Sequence, residues 1–118
     1  MFNTKPVFGF GKGDVDSSIE NREMRINIGG DFSINLAPEV REVIKQGLDA
    51  GIAKMVIDLN EVKYIDSSGI GTLVMALKGV ERIGAQLEVL GVPEQARKLL
   101  KFPPFCKDSE FISGFSAE

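Results

Sequence analysis

The sequence Tyr64-Ile65-Asp66-Ser67-Ser68-Gly69-Ile70-Gly71-Thr72-Leu73 decides how the middle of the chain folds. A short apolar strand runs into an aspartate, two serines and a glycine, and a helical pattern follows. The first amides of a helix have no partner within the helix, so they point into the loop that precedes it. Such a junction favours an anion or a regulated contact, and this one presents a phosphorylatable serine.

Strand and helix patterns alternate on both sides of this junction. Met24, Ile26 and Ile28 alternate with polar residues, which is typical of a half-buried strand, and Asn21-Arg22 predicts a hairpin turn before it. The predicted order is a strand at 15–19, a strand at 24–28, a helix at 38–50, a strand at 54–59, a turn at Asn60-Glu61, a helix that ends at Gly84, and a strand at 86–90. A last helix is predicted to begin at Val92-Pro93 and to end at Pro103-Pro104, with Ala96, Leu99 and Leu100 facing inward. This order predicts an α/β fold, a mixed sheet with helices packed against it through right-handed crossovers.

The length and charge of the chain limit its class. A chain of 118 residues suits a single domain, with 1–14 as an N-terminal lead-in and 103–118 as a tail that shows no clear pattern. The net charge of -3 offers no attraction for nucleic acid or anionic lipid. The apolar runs are too short for a membrane span, and no secretory segment opens the sequence, so we expect a cytoplasmic protein that binds neither nucleic acid nor membrane.

The chain has no histidine and a single cysteine, Cys106, so histidine-dependent hydrolysis and the usual zinc sites are excluded. We therefore expect no enzyme, no catalytic residue, no metal and no cofactor. Gly9, Gly11 and Gly13 lack the Gly-Lys-Ser/Thr ending of a phosphate loop. Asp58 follows a buried strand as a receiver phosphoacceptor does, but no acidic pair ends an earlier strand to hold magnesium, and hydrogen bonds in a turn are the expected role.

The junction also carries a family resemblance. Val56-Ile57-Asp58-Leu59, Tyr64 to Gly71, and Gly84 followed by Leu87-Glu88-Val89-Leu90-Gly91-Val92 resemble a STAS domain of the bacterial anti-anti-sigma type over roughly residues 23–102. The resemblance implies a single STAS-like domain with a four- to five-stranded mixed sheet backed by helices. Where many relatives carry Gly-Glu-Leu-Asp after the second strand, this chain has Gly29-Gly30-Asp31-Phe32, and Asp31 is the expected loop contact.

The resemblance further implies a partner-switching phosphoprotein in transcription regulation. An anti-sigma factor antagonist of this type binds, when unmodified, an anti-sigma factor that is also a serine kinase, and so frees a sigma factor. Phosphorylation of the first serine, here Ser67, abolishes binding, and a PP2C-type phosphatase restores it. The alternative is a constitutive STAS scaffold or subunit, in a stress-sensing or lipid-transport assembly, in which Ser67 is never modified.

Residue types around Ser67 predict how the switch is built. On residue type alone, either Ser67 or Ser68 suits the helix cap. The resemblance implies that Ser67 takes the phosphate, which leaves the cap mainly to Ser68. Gly69 and Gly71 permit close backbone approach. Four residues lie off the apolar stripe of the helix and predict a smooth docking surface: Gly71, Thr72, Met75 and Gly79. The predicted partner-binding residues are Asp31, Asp66, Ser68, Gly69, Gly71, Thr72 and Met75.

Overall fold

A computed structural model describes residues 3–4, 13–97 and 112–113. The elements in chain order are β1 (Asn3–Thr4), β2 (Asp14–Glu20), β3 (Glu23–Phe32), α1 (Ala37–Asp49), β4 (Lys54–Ile65), α2 (Ser67–Ile83), β5 (Gln86–Leu90), α3 (Glu94–Arg97) and β6 (Ile112–Ser113). The strands form one mixed sheet in the order β1-β2-β3-β4-β5-β6. Four long strands with two-residue strands at either edge confirm the predicted mixed sheet backed by helices.

Strand direction divides the sheet into two parts. β1, β2 and β3 pair antiparallel, whereas β3, β4, β5 and β6 run parallel. Parallel neighbours need crossover connections, which α1 and α2 supply between β3, β4 and β5. The carboxyl ends of β3 and β4 therefore meet at one edge, where Phe32 pairs with Ile65.

The hairpin between β2 and β3 turns at Asn21 and Arg22, as predicted. Both residues have a positive φ, 55° and 64°, in a two-residue turn that pairs Glu20 with Glu23. Asparagine tolerates this conformation, whereas arginine does so with strain. The Arg22 side chain is held by donating to the Gly51 carbonyl at 3.1 and 3.3 Å, which offsets that strain.

The hydrophobic core lies between the sheet and the two long helices. The alternation predicted in β3 is confirmed, because Met24, Ile26 and Ile28 are fully buried there. In β4 the residues that share this core are Met55, Ile57 and Leu59. Each long helix buries one apolar face in this core, including Val40, Val43 and Ile44 of α1 and Leu73, Leu77 and Val80 of α2. Gly84 ends α2 with φ 75°, as predicted for a left-handed cap.

The predicted turn at Asn60-Glu61 is wrong, because β4 runs through it to Ile65. β4 accommodates these residues by bulging: its register against β3 shifts between Asn27 and Gly29 and again between Gly30 and Asp31. The Asn60 backbone amide and side chain both donate to Asp58 Oδ1, at 2.9 and 2.8 Å. The local hydrogen bonds between Asp58 and Asn60 are of the kind found in turns, but here they form within a bulged strand.

The ends of the chain are described only in part. β1 lies in the predicted lead-in and β6 in the predicted tail. α3 begins just after Val92-Pro93, and Ala96 is buried as predicted. The predicted inward positions Leu99 and Leu100, the stop at Pro103-Pro104, and Cys106 lie outside the described residues.

Candidate functional site

Asp66 caps helix α2. It has extended backbone angles, φ -114° and ψ -170°, and its Oδ1 accepts from the Ser68 and Gly69 amides at 2.8 and 3.2 Å. The prediction that Ser68 is the cap is wrong, because the helix begins at Ser67 and Ser68 already lies in its first turn. A carboxylate at this position also interacts favourably with the positive end of the helix dipole.

The same aspartate ties the start of α2 to the loop that follows β3. Asp66 Oδ2 accepts from the Ile34 amide at 3.3 Å, and the Asp66 amide donates to the Phe32 carbonyl at 3.3 Å. The loop is closed on its other side by the Leu36 and Ala37 amides, which donate to the Ser33 carbonyl at 2.9 and 2.8 Å. We call the carboxyl ends of β3 and β4, the loop 33–36 and the first turn of α2 the Ser67 edge.

Ser67 is the first residue of α2 and is exposed. Within the part of the chain that the structure describes, its hydroxyl makes no hydrogen bond, and the capping is performed by Asp66. Ser68 is half-buried; its amide donates to Asp66, and its carbonyl accepts from Thr72 Oγ1 at 2.8 Å. Ser67 is therefore the hydroxyl that an enzyme or partner protein can reach directly.

Three residues predicted for the docking surface, Gly69, Thr72 and Gly79, face inward instead. Thr72 is 0% exposed. Gly69 is buried, and a Cβ there would lie 2.6 Å from the Phe32 carbonyl oxygen. Gly79 is buried against Leu48 of α1. The structure corrects the predicted surface: these residues seat α2 on the sheet and on α1, because the helix is buried over a wider arc than its large apolar residues indicate.

The remaining predicted residues lie at or near the surface. Gly71 is exposed, with open space where a Cβ would be. Met75 is half-buried and packs on the core. Asp31 is half-buried near the end of β3, paired in register with Tyr64.

Sequence reasoning missed two exposed hydrophobic residues near this edge. Ile34 is 66% exposed and Tyr64 is 46% exposed. Phe32 and Leu36, on either side of Ile34, are 0% and 2% exposed. A period-two pattern would bury all three, so periodicity gave no signal for Ile34; residues 33–36 form a bend and turn, in which the Ile34 amide donates to Asp66.

Charge along the carboxyl-terminal parts of β3 and β4 is mostly negative. The Asp14 carboxylate and the Glu61 side chain flank Gly29, at 3.0 and 3.3 Å from where its Cβ would lie. Asp31 and Asp66 follow towards the strand ends, and Lys63 is the basic residue between Glu61 and Asp66. This end of the sheet is therefore suited to a basic partner surface.

Asp58 lies away from this edge and has the predicted local role. Partial burial raises the pKa of Asp58, but hydrogen bonds from Asn60 and from Arg25, with the Arg25 charge, outweigh it and hold the pKa below its ordinary value. The Arg25–Asp58 ion pair measures 3.0 Å.

Residues 13–97 and the two short edge strands hold no group of three acidic, cysteine or histidine side chains suited to a metal ion. In that same part of the chain, no helix is long and apolar enough to cross a membrane.

Comparison with known proteins identifies a family and several relatives. Residues 15–112 match the family described as STAS domain. An anti-sigma-B factor antagonist of Staphylococcus aureus is 25% identical over 88 residues, 75% of this chain and 82% of the relative. One from Staphylococcus epidermidis is 31% identical over 74 residues, 63% of this chain and 68% of the relative.

A solved structure shows the same architecture. The Bacillus cell fate determinant SpoIIAA in its phosphorylated form superposes with a TM-score of 0.70 at 16% identity, covering 83% of this chain and 87% of that one. The family match spans most of the chain, including all four long strands and both long helices. The chain belongs to the STAS domain family.

Proposed function

We propose that this protein is an anti-sigma factor antagonist that works by partner switching. In its unphosphorylated form it binds an anti-sigma factor that is also a serine kinase, and so frees a sigma factor. Phosphorylation of Ser67 abolishes binding, and a PP2C-type phosphatase restores it. The names of the curated relatives support the antagonist role.

The observation that carries the proposal is the exposed Ser67 hydroxyl beside a cap that does not use it. The Asp66 carboxylate accepts hydrogen bonds from the Ser68 and Gly69 amides, so the Ser67 hydroxyl is not needed for the cap and is open to modification. A kinase needs a serine hydroxyl that can enter its active site, and Ser67 is exposed at the start of a helix whose position is fixed by buried residues.

The charge of a phosphate explains how binding is lost. Phosphorylation adds about 1.5 to 2 negative charges at neutral pH. At the Ser67 edge this charge joins Asp66 and Asp31, and within an interface it would be desolvated without a partner. Such a charge costs about 2 to 5 kcal/mol. At about 1.4 kcal/mol per tenfold, binding weakens by roughly thirty-fold to several thousand-fold.

Binding and phosphorylation assays test the proposal. The purified chain is titrated against each anti-sigma factor serine kinase encoded in the genome that carries it, and the modified residue is then mapped by mass spectrometry after incubation with ATP. We expect one kinase to bind the wild type and Ser67→Ala and to phosphorylate Ser67. Ser67→Asp should bind at least thirtyfold more weakly, whereas Ser68→Ala, the adjacent control, should be phosphorylated at Ser67.

Two results would contradict the proposal. If no kinase binds, or if Ser67→Asp binds as tightly as the wild type, the chain is not a phosphorylation-controlled antagonist. A stable complex with a protein that has no kinase activity, unaffected by Ser67→Asp, would instead favour the constitutive scaffold.

A further inference from the structure

The side chain of Ile34 projects from the Ser67 edge although its neighbours are buried. It is 66% exposed, more than Tyr64 or Ile83, the other large hydrophobic residues exposed in the described part of the chain. A single exposed hydrophobic residue is ordinary on a protein surface. The surroundings of Ile34 are what give it significance.

The backbone around Ile34 is fixed in a position that keeps the side chain outside. Phe32 and Leu36 anchor the loop in the core at both ends. The Ile34 amide donates to Asp66 Oδ2 at 3.3 Å, and the Ser33 carbonyl accepts from the Leu36 and Ala37 amides. A loop whose backbone is already held in place loses little conformational freedom on binding, which favours its use as an anchoring segment.

The hydrogen bond to Asp66 places Ile34 close to Ser67. Asp66 precedes Ser67 in the chain and holds the Ile34 amide and the first turn of α2 with its two carboxylate oxygens. A partner that covers Ser67 therefore meets Ile34 in the same contact area. Interface anchors commonly lie near the centre of the contact, surrounded by residues that exclude water.

The charge nearby defines the partner surface. Asp31 and Asp66 lie at the Ser67 edge, Asp14 and Glu61 lie further back at the level of Gly29, and Lys63 is the basic residue among them. We propose that Ile34 inserts into an apolar pocket of the protein that binds the Ser67 edge, and that basic side chains rim this pocket. The inference rests on the proposed function, since it concerns the partner that Ser67 controls.

The experiment measures the affinity of the full chain for the same panel of anti-sigma factor serine kinases. Ile34→Ala should weaken binding at least tenfold, because truncating a buried anchor typically has an effect of this size. Ile83→Ala is the matched control: Ile83 is 40% exposed at the other end of α2, about 24 Å away along the helix, and its truncation should leave affinity within twofold of wild type. Both variants should keep the thermal midpoint of the wild type, since both side chains are exposed.

Variants that remove one negative charge test whether basic side chains of the partner surround the pocket. Asp31→Asn should weaken binding severalfold at 0.05 M salt and less at 0.5 M, because salt screens the attraction on which it acts. Asp49→Asn, an equal charge change at the exposed end of α1, should have no effect.

The outcomes separate this inference from the proposed function. If Ser67→Asp abolishes binding while Ile34→Ala binds as the wild type does, Ile34 is no anchor and the switch stands. An affinity that Asp31→Asn leaves unchanged at both salt concentrations overturns the basic rim. If no kinase in the panel binds the wild type, the proposed function fails, and the inference fails with it.

Discussion

Asp66 is the residue that holds the Ser67 edge together. It accepts three backbone hydrogen bonds, from Ile34, Ser68 and Gly69. Asp66→Ala removes the cap and should lower the free energy of unfolding by about 1 to 2 kcal/mol, measured by urea denaturation. Asp66→Asn is the control, because it keeps an oxygen that accepts from Ser68 and Gly69 but puts an NH2 group, which cannot accept, opposite the Ile34 amide. Its loss should be smaller than that of alanine; an equal loss would show that the hydrogen bonds of the cap contribute little to the junction.

A second prediction at this scale concerns Asp58 and pH. Its pKa in the folded protein lies below the ordinary value of 3.8, so the unfolded chain takes up the proton first as the pH falls. The stability that the carboxylate contributes is therefore complete above the unfolded pKa and is lost as the pH drops through the folded pKa.

Asp58→Asn tests this dependence because it keeps the shape and removes the titration. We expect the variant to be less stable than the wild type at pH 7, and the difference to shrink steadily below about pH 4. Urea unfolding at a series of pH values gives the comparison. A difference that stays constant down to pH 2 would show that the Arg25 and Asn60 contacts do not favour the charged form.

At the scale of the element, α2 contains two glycines with opposite environments. A Cβ at Gly69 would lie 2.6 Å from both the Phe32 carbonyl oxygen and Ile65 Cγ1, whereas a Cβ at Gly71 would meet nothing within 4 Å. Gly69→Ala should destabilise the fold by about 1 to 3 kcal/mol. Gly71→Ala should stabilise it by about 0.5 to 1 kcal/mol, because alanine favours the helix.

Gly71 thus lowers helix stability without any gain in packing among the described residues. If its purpose is close approach by a partner, Gly71→Ala should raise the thermal midpoint and weaken binding together. Lys78→Ala, an exposed position further along the same helix, should change neither by a comparable amount. Unchanged affinity for Gly71→Ala would remove this glycine from the docking surface.

The elements also show where sequence reasoning succeeds and fails. The alternation in β3 and the helical patterns of α1 and α2 were predicted because apolar residues recur at the period of the strand or helix whose one face they bury. The continuation of β4 past Asn60-Glu61 was not, because pairing with β3 outweighs local turn preference. Ile34 lies exposed in a turn, its amide donates to Asp66, 32 residues away, and no local pattern contains that contact.

At the scale of the whole molecule, the Ser67 edge is separate from most of the core. The core joins the inner face of the sheet to both long helices, and the antiparallel strands β1 and β2 lie on the far side of β3 from Ser67. A change confined to the exposed Ser67 hydroxyl leaves these contacts in place. Control by phosphorylation is therefore expected to act on the complex rather than on the fold.

The thermal midpoint of the Ser67-phosphorylated chain tests this expectation. The helix dipole favours the phosphate by about 0.3 to 1 kcal/mol, while the neighbouring Asp66 carboxylate opposes it. Because the two effects largely cancel, we expect scanning calorimetry to show a midpoint within about 5 °C of that of the unmodified chain, since about 1 kcal/mol corresponds to a few degrees in a domain of this size. The control is the same sample after phosphatase treatment, which should recover both the original midpoint and binding. A fall well beyond 5 °C would mean that the phosphate displaces Asp66 from its cap and loosens α2, and loss of binding would then follow from disorder of the Ser67 edge rather than from charge at the interface.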